Sequence, residues 1–389
     1  MKSENKFIFL CCFLYFSSYI ARSNYGVVIL EIVDNLHITN SEASIAVTLS
    51  FISYGVGQLI SGVLGDRFHP KWLLLTGIIA TSVINFLVVF TQSVVILTLL
   101  WTLNGFSQSL IWPPLIKIMA INLSESMYKK SCAYVTMSCA FATCFIYILA
   151  PVCVAFGGYK TVFLLTAILG AICSVLWYKK APLGQFNAMK NAENNISSVQ
   201  LIIKTGIAPL LLVIVIHGAL RDGVATWMPT FISENFAFSN VISILSTVIL
   251  PIFSIIIIAI MKNISAKNEM NLASVIMLIS CVSSIILLVL RQNVVISITS
   301  MALISSCMQG MNLILLSNLP VKFLKYGKVA TLSGILNSFT YIGSALATYG
   351  IAKVTEIFGW NTTILLWIVI TLISTIICFN RRKIYTKLV

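Results

Sequence analysis

Gly55-Val56-Gly57-Gln58-Leu59-Ile60-Ser61-Gly62-Val63-Leu64-Gly65-Asp66-Arg67-Phe68-His69-Pro70-Lys71 closes an apolar run spanning about 43–64. The small residues Gly55, Gly57, Ser61, Gly62 and Gly65 let a neighbouring helix approach closely. The run then stops on Asp66-Arg67, a charged pair that can engage helix ends, followed by a proline and a lysine. This is how a membrane helix ends at the water interface, and it sets the frame for the whole chain.

The chain has 389 residues, of which 59% are hydrophobic and 9% charged, with mean hydropathy +0.99. A soluble chain carries roughly 25% charged residues, so there is too little polar surface here to clothe a globule. Apolar runs long enough to span a bilayer recur at about 7–30, 43–64, 72–91, 94–121, 131–155 and 161–178. A second set falls at about 203–231, 240–261, 270–290, 293–318, 329–352 and 361–379. The runs are continuous and do not alternate, which predicts helices rather than barrel strands.

Basic residues give the orientation. Of 25 Lys and Arg, only Lys160, Arg291 and Lys353 fall on one side, Arg22 and Arg221 lie inside spans, and the other 20 share the opposite side. The loop after the first span carries Glu31, Asp34 and Glu42 and no base. Both termini are therefore expected in the cytoplasm. The net charge of +14 is a topology signal plus attraction to anionic lipid headgroups, not a nucleic-acid surface. The first run is too long for a cleaved signal peptide and contains Arg22. The ten cysteines lie almost entirely within spans, with no CxxC pair or metal-like cluster, and read as small buried hydrophobes. No metal and no cofactor are expected.

The runs divide into 1–178, a polar, Asn-rich linker at 179–200, and 201–389. The halves echo each other. Arg22 is followed by Ser41 before the second span, and Arg221 by Ser239 before the eighth. Phe156-Gly157 returns as Phe358-Gly359, and the offsets are 199 for the arginines and 202 for the glycines. Parallel six-helix halves are the architecture of the major facilitator fold, in which substrate sits between the halves near mid-membrane. The expectation is an all-α membrane protein with twelve transmembrane helices in two six-helix halves.

An arginine deep in a span must face a wet cavity or a partner. Arg22 and Arg221 would make a clamp for a dianion, because a planar guanidinium binds oxygens in pairs. The competing reading is local neutralisation, with Asp222 the obvious partner for Arg221 even though neighbours on a helix point about 100° apart. In the fourth span, Asn104 and Gln108 share a face and lead to Trp112-Pro113-Pro114, which must bend the helix. They read equally as substrate contacts or as helix–helix hydrogen bonds. His217 lies four residues before Arg221 on the same face and reads as a tuning group or a packing histidine.

The stretch from Gly62 to Lys71 resembles the loop signature of the major facilitator superfamily, G-x-x-x-D-R-x-x-x-[KR], which marks fold and gating. Asp66 and Arg67 would latch the halves in one state. The matching region, Lys262-Asn263-Ile264-Ser265-Ala266-Lys267, lacks the acid, so the latch reads as one-sided. Asn104-Gly105…Gln108…Trp112-Pro113-Pro114 is similar to the fourth helix of the organophosphate:phosphate antiporters. Tyr15…Tyr19…Arg22, Leu220-Arg221…Gly223…Trp227…Pro229 and Phe339-Thr340-Tyr341-Ile342-Gly343 resemble their helices 1, 7 and 11. The resemblance implies that Arg22 and Arg221 bind phosphate, that Tyr15, Tyr19 and Tyr341 line the cavity, and that an external organophosphate is exchanged for internal phosphate. A histidine and a lysine of the glycerol-phosphate branch are replaced by Phe141 and Gln58, and the acid usual before the helix-7 Trp is Thr226. The substrate's other half should therefore differ from glycerol.

If both arginines were unpaired in the empty cavity, only a loaded carrier could switch, and exchange would be obligatory. The alternatives are a carboxylate or sugar-acid symporter on the same fold, or an organophosphate sensor without net transport. An enzyme is not expected, since no nucleophile motif or metal set is present. The expected setting is a bacterial plasma membrane, with a small anion, inorganic phosphate and the lipid bilayer as partners and a monomer as the unit.

Overall fold

The computed structural model describes residues 2–38, 40–183, 198–238, 243, 246–261 and 269–387. No strand occurs among them. The helices are α1 (Lys2–Val27), α2 (Ile29–Leu36), α3 (Asn40–Arg67), α4 (Pro70–Val88), α5 (Val94–Ser109), α6 (Trp112–Asn122), α7 (Glu125–Gly157) and α8 (Tyr159–Lys180). They continue with α9 (Ser198–Lys204), α10 (Ala208–Phe236), α11 (Ile249–Met261), α12 (Glu269–Val289), α13 (Val294–Met311) and α14 (Val329–Lys387). Eleven segments among the described residues are long and apolar enough to cross a membrane, and α11 is a shorter apolar helix. The chain is a multi-pass membrane protein. The start of the expected eighth span, Ser239, residues 184–197 of the expected linker and residues 262–268 lie outside the described residues.

The chain forms two compact units, Met1–Asn194 with Phe323–Ile335, and Asn195–Lys322 with Leu336–Val389. In the first, α1 packs on α7 and α8, α3 on α5, and α4 on α8. Its interior is partly polar. Asn24 Nδ2 donates to Asn85 Oδ1 at 2.8 Å, and the Tyr25 hydroxyl donates to the Ala43 carbonyl at 3.0 Å. In lipid such bonds hold helices together where the hydrophobic effect between helices is absent. Large apolar side chains instead cover the outside, Phe156 being 88% exposed, which only a bilayer tolerates at this scale.

In the second unit α13 packs on α10, α11 and α12. Here α10 and α14 cross with backbones in contact. A Cβ at Gly218 would overlap the Thr340 carbonyl, and one at Gly343 would overlap the Val215 carbonyl. In the first unit the glycines of α3 serve the same purpose. A Cβ at Gly62 would lie 2.7 Å from the Ala330 carbonyl at the start of α14.

The expected bend in the fourth span is a full break. α5 ends at Ser109, Leu110 and Ile111 make 3.2 Å turn bonds back to Ser107 and Gln108, and Pro113 and Pro114 sit in the first turn of α6. Proline is tolerated there because first-turn N–H groups lack intrahelical acceptors. The corresponding helix of the second half also departs from α geometry, where α13 continues as a π-helical segment, Asn312–Asn318.

The glycine echo needs one correction. Gly158, not Gly157, shares the backbone of Gly359, with φ/ψ of 71°/−178° against 75°/174°. Side-chain-bearing residues do not settle in that region. The offset is 201, and it aligns the buried aromatics Tyr159 and Trp360. This turn ends α7 and interrupts α14, giving the last two spans.

Candidate functional site

In the first unit Arg22 projects from α1 into a set of rings. Its Cζ lies 4.0 Å from the Tyr54 ring centroid, 5.7 Å from Tyr19 and 5.8 Å from Phe51. Tyr15 stands beside Tyr19 at 5.3 Å and beside Trp112 at 5.1 Å. Positions 15, 19 and 22 follow the helical repeat, so one face of α1 carries both tyrosines and the arginine. Ring faces are negative and stabilise a half-buried guanidinium by about 1 kcal/mol.

Asn104 and Gln108 of α5 lie directly behind this face. Asn104 Nδ2 donates to the Ala21 carbonyl at 3.1 Å, and Gln108 Nε2 to the Ser18 carbonyl at 3.1 Å. The Ser18 hydroxyl donates to Gln108 Oε1. Both amides are buried and engage the backbone next to Arg22 and Tyr19. Gln58 is also fully buried, with Nε2 donating to the Ser109 carbonyl at 3.3 Å.

In the second unit Arg221 closes on its neighbour. Arg221 Nε and Nη2 donate to Asp222 Oδ1 and Oδ2 at 2.7 and 2.8 Å. Their Cβ vectors diverge, but the arginine stem is long enough to curl back. The expectation of two unpaired arginines in the empty site is thereby corrected for Arg221. Ser344 of α14 donates to Asp222 Oδ2 at 2.5 Å. The Gly218 and Thr340 carbonyls are also within reach of that hydroxyl, at 3.3 and 3.0 Å, but its single hydrogen favours the charged acceptor. Arg221 Cζ lies 5.9 Å from the Tyr341 ring. Asp222 stands one helical turn before Thr226, so this face of α10 carries an acid close to the arginine. His217 is fully buried against the Met308 backbone of α13, and neither ring nitrogen makes a hydrogen bond among the described residues.

At the end of α3, Asp66 does engage a helix end. Its Oδ1 and Oδ2 accept from the backbone N–H of Ala330 and Thr331 at 3.0 and 2.7 Å, in the first turn of α14. A carboxylate there satisfies two orphan donors and meets the positive end of the helix dipole. Lys117 Nζ lies 3.1 Å from Asp66 Oδ1 and donates to the Gly65 carbonyl at 3.0 Å. Arg67 stays exposed. His69 caps α4 through Nδ1, which accepts from the Lys71 N–H at 3.1 Å, and burial lowers its pKa, with Lys71 and Lys117 adding to the shift.

The second half has its own buried acid. Glu269, the first residue of α12, accepts from Asn318 Nδ2 at 3.0 Å and lies 3.7 Å from Lys322 Nζ. Glu269 and Lys322 follow Asp66 and Lys117 by 203 and 205 positions. The acid lies just past the stretch compared in the sequence, so it was missed. Lys117 had a visible signal, a lysine within the 94–121 run, whereas Tyr54 and Ser344 had none. Among the described residues no group of His, Cys, Asp and Glu could hold a metal ion.

The family profile described as Major Facilitator Superfamily matches residues 11–348. The chain is 26% identical over 264 residues to the glycerol-3-phosphate transporter of Bacillus subtilis (strain 168), covering 60% of this chain and 58% of that one. Over 90 residues it is 34% identical to the membrane sensor protein UhpC of Escherichia coli (strain K12), covering 23% and 20%. Over 120 residues it is 26% identical to a probable hexose phosphate transport protein of Chlamydia trachomatis serovar D, covering 31% and 26%. The alignments thus span between 20% and 58% of these curated relatives. Two of the three names are those of phosphate-ester transporters, which agrees with the resemblance read from helices 1, 4, 7 and 11. Among solved structures, the transporter FucP superposes with TM-score 0.76 at 12% identity, over 97% of this chain and 99% of that one. The human organic anion transporter MFSD10 superposes with TM-score 0.74 at 12% identity, over 96% and 99%. With the profile covering most of its length and these structures sharing its fold, the chain belongs to the Major Facilitator Superfamily.

Proposed function

We propose that this protein is a secondary active transporter that moves a small phosphorylated organic molecule across a bacterial plasma membrane by alternating access, in exchange for inorganic phosphate. Both termini are cytoplasmic and the monomer is the working unit. The observation that carries the reading is the pair of span arginines, Arg22 and Arg221, each beside a tyrosine of the motif that resembles the organophosphate antiporters. Their forked N–H groups suit phosphoryl oxygens. Tyr15, Tyr19 and Tyr341 flank them, Gln108 and Asn104 position the α1 face from behind, and His217 packs one turn from Arg221. Asp66 holds the α14 terminus as a gate, with Lys117 as its counter-charge and Arg67 at the surface.

The test is exchange in proteoliposomes preloaded with phosphate, with Arg22→Lys and Arg221→Lys beside the parent. Uptake of labelled phosphate that depends on internal phosphate and is impaired in both variants supports the reading, and sugar phosphates competing for uptake then name the substrate. Because phosphate esters lose their second charge below a pKa of about 6, uptake should fall in acid if the dianion is the substrate. Equal rates for a monoanionic analogue would overturn that. The stretch similar to the membrane sensor supports a second reading. Tight binding of an organophosphate without any flux would favour it.

A further inference from the structure

We propose that Asp222 is a resident counter-anion that occupies Arg221 in the empty protein and is displaced by the phosphoryl group. The inference rests on Arg221 being an anion site. It goes further in saying that the site carries its own competitor, and that the competitor allows net movement beside exchange.

The geometry points this way. Asp222 presents two oxygens to the Nε and Nη2 donors of Arg221, at 2.7 and 2.8 Å. These parallel N–H groups are the edge a phosphoryl group would take in a bidentate contact. Two anions cannot share that edge, since a carboxylate and a phosphate held at bonding distance from one guanidinium repel across a few ångströms. Binding at this edge is therefore an exchange of partners. Ser344 gives the displaced carboxylate somewhere to stay, because its hydroxyl already donates to Oδ2 at 2.5 Å from α14. Gly218 and Gly343 fix that distance by letting the α10 and α14 backbones touch.

Two consequences follow. First, apparent phosphate affinity is lower than Arg221 alone would give, because the competent state is only the fraction in which Asp222 has let go. Second, the empty protein does not carry an uncompensated cation at position 221. The penalty that would make exchange obligatory is relieved on that side, and the unloaded protein can return. A carboxylate that only oriented Arg221 would act in the opposite sense, since its removal would loosen the guanidinium and weaken binding.

The experiment uses the full chain in proteoliposomes loaded with labelled phosphate. Efflux is measured with and without external phosphate, and phosphate binding to the purified protein is measured by equilibrium dialysis. The parent should show net efflux as well as exchange. Asp222→Asn should bind phosphate on the order of tenfold more tightly, and its ratio of net efflux to exchange should fall about tenfold or more. Asp222→Glu should recover much of the ratio. Ser344→Ala keeps the ion pair and removes the resting place of the displaced carboxylate, so it should weaken phosphate binding several-fold, opposite in sign to Asp222→Asn. That variant also decides the matter if Asp222→Asn fails to fold. Weaker binding in Asp222→Asn, an unchanged flux ratio, or a parent that exchanges but shows no net efflux each overturn this inference and leave the phosphate reading standing. A parent that neither binds nor moves phosphate overturns both.

Discussion

Arg22 lies with its Cζ 4.0 Å from the Tyr54 ring, while Arg221, 199 positions later, has two of its N–H groups closed by the carboxylate of the next residue. Both are cations within spans, and both have lost much of their hydration. A ring compensates the charge through its face and does not act as a competing oxyanion. A carboxylate compensates it through the edge, in the geometry a phosphoryl group would use. The repeat therefore sets the same residue against a ring face in one half and against a carboxylate in the other, and the halves should not respond alike to the same change.

The largest expected effect tests this inequality directly. Arg22→Lys should lower phosphate affinity about 100-fold, because lysine keeps the charge and the ring contact but loses the fork. Arg221→Lys should lower it only about tenfold, since the weaker pair with Asp222 also makes a weaker competitor. Titration of the purified proteins with phosphate checks both. Equal losses would break the comparison, and a larger loss at Arg221 would reverse it.

A second test separates the ion pair from the ring cage through stability. Arg221→Ala should destabilise the protein, and adding Asp222→Asn should recover part of the loss. The coupling should be only about 1 kcal/mol, because the Asp222 side chain is 36% exposed and solvent screens the pair. Tyr54→Leu should cost a similar amount through the lost cation–π contact, about 1 kcal/mol, and should show no coupling to Asp222→Asn. Thermal unfolding in detergent reads all five variants, the three single and the two double. Coupling between Tyr54 and Asp222 would mean that the two arginine sites are not separate.

Much of the fold was legible in the sequence because lipid imposes a simple rule: spans must be long, apolar and helical. The eleven long segments fall on the expected runs. The departures are local and have local causes. Gly158 and Gly359 are matched by backbone conformation, which sequence spacing placed one residue off. Glu269 escaped because its partner, Lys322, is 53 residues away and the acid had shifted out of the compared stretch. The arginines were legible because charge in a span stands out. Their partners were not, because nothing in an isolated tyrosine or serine says that it will meet a particular guanidinium. Asp222 was visible as a candidate, but the curl of Arg221 back along its own helix is a rotamer choice that residue spacing does not encode.

The two buried acids at the helix ends extend the contrast at smaller cost. Asp66 accepts from two backbone N–H groups in the first turn of α14 as well as pairing with Lys117, whereas Glu269 accepts from the Asn318 side chain and lies at a longer distance from its lysine. Asp66→Asn should remove about 1 kcal/mol of helix-terminus stabilisation, and Glu269→Gln should remove less. The readout with specificity is proteolysis or hydrogen exchange at the first turn of α14, which should open in Asp66→Asn and stay protected in Glu269→Gln. Opening in both would mean that the two acids act on the same element.

The smallest expected effect concerns the amides behind Arg22. Asn104 and Gln108 are buried and bond the α1 backbone at Ala21 and Ser18, so their influence on substrate must pass through the placement of Tyr19 and Arg22. Hydrogen bonds between membrane helices contribute about 0.6 kcal/mol on average, because polar groups released in the membrane find other partners. Gln108→Ala should therefore cost about that much stability and shift phosphate affinity by less than about threefold. An affinity loss comparable with Arg22→Lys, with stability unchanged, would show that Gln108 touches the substrate itself. It would also mean that α5 turns this face toward the anion in the loaded state, so that the aromatic cage around Arg22 is only one of its two arrangements.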